Sequence, residues 1–193
     1  MPEKYSPKTE GRRLGWKLLG SRYLVDRKWF RVREDDLTLP DGDEINYVYV
    51  EHPGAVQIVP VTDGNEVILI HTYRIAVDRW FWEIPAGTLA DRAGILPETV
   101  AEKELEEEIG AHAREMKFLG KYFQGNGHSA TLMYYYLATG VKLGKKPDLE
   151  PTEIIDQTKQ FTFPQIKDMI ARGEIDDGDS AFALLLAAMK LGY

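Results

Sequence analysis

A chain of 193 residues, 44% of them hydrophobic, is long enough to bury one core and too apolar to stay disordered. A formal net charge of −7 argues against a general binder of nucleic acid or anionic membranes, and the absence of cysteine excludes disulfides, zinc–thiolate sites and thiol nucleophiles. No apolar run reaches the roughly 20 residues of a membrane span and residues 1–4 open no signal peptide, so a soluble, cytoplasmic protein is expected.

Up to about residue 84 the sequence predicts strands at 21–25, 29–33, 46–51, 55–61, 66–73 and 80–84, all rich in β-branched and aromatic side chains. Leu39-Pro40-Asp41-Gly42-Asp43 and Thr62-Asp63-Gly64-Asn65 separate them as tight turns, the Asp-Gly pairs being expected to supply positive φ. A helix is predicted over 98–109, opened by Pro97 and ended by Gly110 in the left-handed region. Strands return at 116–122, 132–138 and, after a polar stretch, 156–161. Thr162 then caps a helix that opens at Pro164 and stops near Gly173, and Asp179 or Ser180 caps a last apolar helix ending at Gly192.

This order reads as α+β, a mixed sheet layer covered by helices. Residues 1–50 read as a small antiparallel β segment and 51–193 as the main domain. Strands that cannot close a core alone can bury their edges against a second copy, so the segment is expected to mediate a homodimer.

On the predicted helix Glu104, Glu107 and Glu108 lie three and four residues apart and share one face, whereas Glu106 points elsewhere. Ala101, Leu105 and Ile109 form the apolar stripe. Five glutamates among residues 102–108 are locally unfavourable. Like charges four apart cost about 0.2–0.5 kcal/mol per pair, and carboxylates near a helix C-terminus lose roughly another 0.3–1 kcal/mol against the macrodipole. A divalent cation would remove that penalty, and hard oxygen ligands select Mg²⁺, Mn²⁺ or Ca²⁺ over Zn²⁺. A solvated acidic face is the competing reading. Ahead of the helix, Glu83-Ile84-Pro85-Ala86-Gly87 puts Pro and Gly at a strand end, where the Ala86 carbonyl could add a neutral ligand; plain turn residues are the alternative. His52, His71, His112 and His128 show no ligand spacing.

Gly87 followed by Lys103-Glu104-Leu105-Glu106-Glu107-Glu108-Ile109-Gly110-Ala111 resembles the Nudix box: Gly, five residues, Glu, seven residues, then Arg-Glu-aliphatic-any-Glu-Glu-any-Gly-aliphatic. Two positions depart from it. Lys103 replaces the Arg, keeping the charge but losing the planar fork. Ile95 stands where the first Glu falls when counted back from Lys103, and the loop after Gly87 is two residues longer than the pattern. Ile70-His71-Thr72-Tyr73-Arg74-Ile75-Ala76-Val77, then Trp82-Glu83-Ile84-Pro85-Ala86-Gly87, and Gly173-Glu174-Ile175-Asp176 before the last helix are similar to the ADP-ribose pyrophosphatase branch, over most of residues 45–190.

The resemblance implies a Nudix-type mixed β-sheet sandwiched by helices, with Mg²⁺, or Mn²⁺ as substitute, held by Glu104, Glu107, Glu108 and the Ala86 carbonyl. It implies substrate contacts at Arg74, Gly87, Gly127 and His128. The last two lie in Gly125-Asn126-Gly127-His128-Ser129, which takes the place of a substrate loop but lacks its usual Pro. The general base is expected at Glu153, with Glu150 second and Glu107 as a further catalytic candidate. For Arg74 a strand-pairing role competes, for the glycine loop an ordinary hairpin, and for Glu150 and Glu153 a solvated loop.

The expected reaction is hydrolysis of a nucleoside diphosphate sugar, ADP-ribose to AMP and ribose 5-phosphate. GDP-mannose or another nucleotide sugar is the nearest alternative. A non-catalytic nucleotide-sugar-binding module is a second, motivated by Lys103 and Ile95. Neither a nucleic-acid nor a membrane partner is expected.

Overall fold

The computed structural model describes residues 8–90 and 94–193; the residues read for a signal peptide and part of the long loop after Gly87 lie outside them. The described residues form two compact units. One runs through Pro53 and includes Phe123–Leu132; the other comprises Gly54–Tyr122 and Met133–Tyr193.

In the first unit a short helix α1 (Thr9–Arg13) precedes an antiparallel sheet of order β1-β2-β3, made of β1 (Lys17–Asp26), β2 (Arg31–Thr38) and β3 (Glu44–Glu51). The strand expected from residue 29 starts two positions later. Trp29 and Phe30 instead belong to the turn, closed by reciprocal backbone bonds between Arg27 and Phe30 at 3.1 and 3.3 Å. The middle of this sheet is polar. Arg33 is fully buried and donates to Asp35 at 2.7 Å, Glu51 at 3.1 Å and Ser21 at 3.1 Å. At Leu39–Asp43 the predicted turn forms with Gly42 at φ 97°.

The second unit contains β4 (Ala55–Thr62), β5 (Glu66–Arg74), β6 (Arg79–Glu83), β7 (Ala86–Thr88), α2 (Pro97–Ile109), β8 (Ala111–His112), β11 (Ile155–Thr162), α3 (Phe163–Ala171), α4 (Gly178–Leu191) and most of β9 (Glu115–Gln124) and β10 (Thr131–Leu143). The sheet runs β11-β5-β4-β10-β8, with β6 on β5, β7 on β4 and β9 on β10. β10 is parallel to β4, whereas β5 and β7 are antiparallel to it. In the turn from β4 to β5 the positive φ falls on Asn65, at 60°, not on the Asp63-Gly64 pair; Asn tolerates that region because its short amide bonds locally.

β4 and β5 pair at Val61↔Val67 beside that turn and part beyond it. The chain from residue 79 enters the opening, pairing first with β5 (Ile70↔Glu83) and then with β4 (Gln57↔Ala86). The change of partner falls on Ile84 and Pro85. Proline has no N–H for a ladder, and here its carbonyl accepts from the Ile58 N–H at 2.9 Å.

Side chains alternate between two cores. Val56, Ile58, Ile68 and Ile70 pack with Val100, Ala101, Leu105 and Ile109 of α2. Val59, Val61, Val67 and Leu69 pack with Phe163, Ile166, Ala183 and Leu184 of α3 and α4. The sheet is therefore sandwiched by helices, which explains the near-continuous apolar runs of β4 and β5. The last helix is capped by Asp177, which accepts from the Ser180 N–H at 2.8 Å, and not by Asp179 or Ser180, because an Asx side chain two to three residues upstream reaches the free amides. No helix among the described residues is long and apolar enough to cross a membrane.

Thr162 caps α3 in a capping box with Gln165. Thr162→Ala should lower stability by about 1 kcal/mol, read as a shift of the urea midpoint at unchanged m-value.

Candidate active site

α2 is positioned from both ends. Pro97 occupies its first turn and Gly110, at φ 62°, its C-cap. With Val100, Ala101, Leu105 and Ile109 against the sheet, Glu104 and Glu108 turn toward the β6–β7 switch, and each is only 5% exposed. The Ala86 N–H donates to Glu108 Oε2 at 3.0 Å. A Cβ on Gly87 would stand 2.0 Å from Glu104 Cδ, so the Glu104 carboxylate can lie on this strand because residue 87 has no side chain.

A third carboxylate arrives from the loop before β11. Among the described residues, Glu104, Glu108 and Glu153 offer oxygens that all lie within 4.8 Å of one another. Glu153 also accepts from the Glu150 N–H at 2.8 Å, which fixes its turn. Burial raises the Glu108 pKa well above the ordinary carboxylate value, and the Glu104 and Glu153 charges add to this; the Ala86 N–H and Arg74 oppose it. Three convergent oxygens at a buried point fit a hard divalent cation, whose charge would offset that cost.

The neighbouring glutamates are engaged differently. Glu107 meets the Lys103 ammonium at 2.7 Å, one turn back on the helix. Glu106 points away from the cluster and bonds Lys145, which holds its carboxyl below the usual value.

Arg74 gives Glu83 a two-pronged contact, Nε to Oε1 at 3.0 Å and Nη2 to Oε2 at 2.5 Å. Burial raises the Glu83 pKa against this pairing, and the charges of Asp177 and Asp179 add to the rise. Glu83 lies in the string that carries the family resemblance, yet its pairing with Arg74 was not expected, and Asp177 carries no motif. The signal for Glu83 is an acid closing a strand that is otherwise aromatic, in a hairpin whose other arm ends at Arg74.

Gly127 and His128 belong to the other unit. Val50 N–H donates to the His128 carbonyl and Ala130 N–H to the Val50 carbonyl, both at 2.9 Å, which fastens the loop to β3. Tyr47 donates to the Gly127 carbonyl at 2.7 Å, and a cavity of about 170 Å³ here is lined by Lys8, Tyr47, Tyr49 and residues 126–130.

Family models match the chain along its length: the nucleoside diphosphate sugar hydrolase N-terminal domain over residues 16–50 and the NUDIX domain over residues 51–182. The chain is 33% identical over 165 residues to an ADP-ribose pyrophosphatase of Mycobacterium tuberculosis, covering 85% of this chain and 79% of that one. It is 27% identical over 175 residues to an ADP-ribose pyrophosphatase of Bacillus subtilis, covering 90% and 93%. A GDP-mannose pyrophosphatase of Enterobacter is 30% identical over 178 residues, covering 87% and 90%. A solved structure of an ADP compounds hydrolase matches with a TM-score of 0.79 at 22% identity over 92% of this chain and 94% of that one, a likeness of fold.

Two outcomes are expected of this geometry. Gly87→Ala should push the Glu104 carboxylate off the strand and weaken Mn²⁺ binding about 10-fold or more, measured by titration calorimetry, because displaced supports of a metal site cost about that much. In metal-free protein the raised pKa of Glu108 means that the folded state holds its proton longer than the unfolded chain does. Its contribution to stability therefore falls as pH rises from the ordinary carboxylate value toward the raised one. The stability gained by Glu108→Gln over the parent protein should accordingly widen as pH rises above the ordinary carboxylate value without metal, and saturating Mg²⁺ should close it; a gap independent of pH would contradict this.

Proposed function

The chain belongs to the NUDIX domain family and is a Nudix hydrolase, and we propose that it cleaves the pyrophosphate bond of ADP-ribose to give AMP and ribose 5-phosphate. The observation that carries the reading is the convergence of Glu104, Glu108 and Glu153 on the backbone of Ala86 and Gly87.

Glu104, Glu108 and the Ala86 carbonyl are assigned to a divalent cation, Mg²⁺ with Mn²⁺ as substitute. That cation would supply charge neutralisation at the pyrophosphate and a lowered pKa for water. Glu153 is assigned as proton acceptor for the attacking water, with the Glu150 turn holding it. Glu107 stands beside this set, steered by Lys103. Arg74, oriented by Glu83, is assigned to a substrate phosphate, where a guanidinium fork suits the oxygens. By the family resemblance Gly87 is a proposed substrate contact, and so, in the other unit, are Gly127 and His128.

Residues 51–193 form the proposed catalytic domain, and residues 1–50 a segment through which a cytoplasmic homodimer assembles. Exposed Leu19, Leu24, Trp29, Phe30 and Val48 support that assignment, since such side chains gain from being covered. The similarity to a GDP-mannose pyrophosphatase keeps that substrate as the second reading.

Glu108→Gln should reduce Mg²⁺-dependent AMP release from ADP-ribose about 100-fold or more, the upper end of what even outer partners of a metal site cost. Unchanged turnover in a folded variant would sink the assignment. Running ADP-ribose and GDP-mannose side by side separates the two substrate readings, and binding of either without product would favour a non-catalytic module.

A further inference from the structure

α2 ends against the loop that joins β10 to β11, and the two are fastened at several points. The Gly144 and Lys145 N–H groups both donate to the Gly110 carbonyl at 3.0 Å, and the Asp148 N–H donates to the Glu107 carbonyl at 2.8 Å. These carbonyls are among those a helix C-terminus otherwise leaves to water. The approach depends on Gly110, since a Cβ there would lie 2.0 Å from the Lys145 carbonyl oxygen.

Lys145 adds a charged contact, its ammonium bonding the Glu106 carboxylate. α2 has no basic residue in its own last turn, so this loop lysine also brings the cation that the helix C-terminus favours. His112 approaches the same carboxylate, at 3.9 Å. At its far end the loop is pinned again: the Thr72 hydroxyl and the Tyr73 N–H donate to the Ile154 carbonyl at 3.1 and 3.0 Å. Residues 149–153 thus hang between two anchors, and Glu153 sits in that span beside Glu104 and Glu108.

We propose that Lys145 is a positioning residue: its ion pair with Glu106 latches the loop to the last turn of α2 and thereby holds the Glu153 carboxylate at the cluster. This rests on the reading of Glu104 and Glu108 as the cation's ligands, with Glu153 close enough to add its charge to their site. It gives Glu106, the glutamate of the run that faces away from that site, a function in it.

The test begins on metal-free protein. Lys145→Met and Glu106→Gln should each speed hydrogen exchange at the Gly144 and Asp148 amides about 1.5- to 5-fold after correction for intrinsic rates, the range an exposed ion pair carries. Mn²⁺ binding, followed by calorimetry, should weaken by a similar factor in each. The double variant should be no worse than either single one, because both remove the same interaction. Unchanged exchange, or effects that simply add, would overturn the latch. Failure of the cation-site reading looks different: Glu108→Gln would leave Mn²⁺ binding intact while exchange at Asp148 still answered to Lys145.

Discussion

Two carboxylates buried on bare backbone are the constraint around which the rest of the catalytic unit is arranged. Glu104 and Glu108 lie on Ala86 and Gly87 with almost no solvent, where taking a carboxylate's charge out of water costs several kcal/mol. Against that stands the apolar stripe of α2, whose Val100, Leu105 and Ile109 each contribute about 1.5–3 kcal/mol by burial. The stripe can hold the helix down, yet it leaves the charges unresolved. A divalent cation would remove that repulsion at its source.

The backbone geometry follows from this. A strand that simply continued along β5 would not bring Ala86 and Gly87 under α2. The parting of β4 from β5 and the switch across Ile84 and Pro85 move the chain one strand inward, where a missing N–H costs nothing and a missing Cβ admits Glu104. Cations are then placed around the carboxylates, not among them. Arg74 is committed to Glu83 through two nitrogens, Lys103 touches Glu107 at a point, and Lys145 meets Glu106 on the far side. Of the three, Arg74 is the one whose charge reaches Glu108.

Legibility in the sequence tracked locality. The helix at α2, its stripe and its glycine stop could be read because period, proline and glycine act within a few residues. A sheet layer covered by helices followed from the order of the elements, and the resemblance implied the sandwich. What escaped depends on distant partners or on very short elements. β7 and β8 exist through pairing, α1 is a single turn without a stripe, and Trp29 and Phe30 read as strand by composition yet turn the chain. Asp177 displaced the expected caps because three acidic or hydroxyl residues compete within four positions, and composition does not choose among them. At the site, the spacing put Glu104, Glu107 and Glu108 on one face but could not show that Glu107 meets Lys103, or how closely the loop brings Glu153 to Glu104 and Glu108.

The proposed reaction is at a pyrophosphate, and that group is common to every nucleoside diphosphate sugar. Relatives named for ADP-ribose and for GDP-mannose are similar to this chain over more than four-fifths of its length, so the shared fold cannot by itself select a base or a sugar. Selection must come from groups that meet the two ends of the substrate.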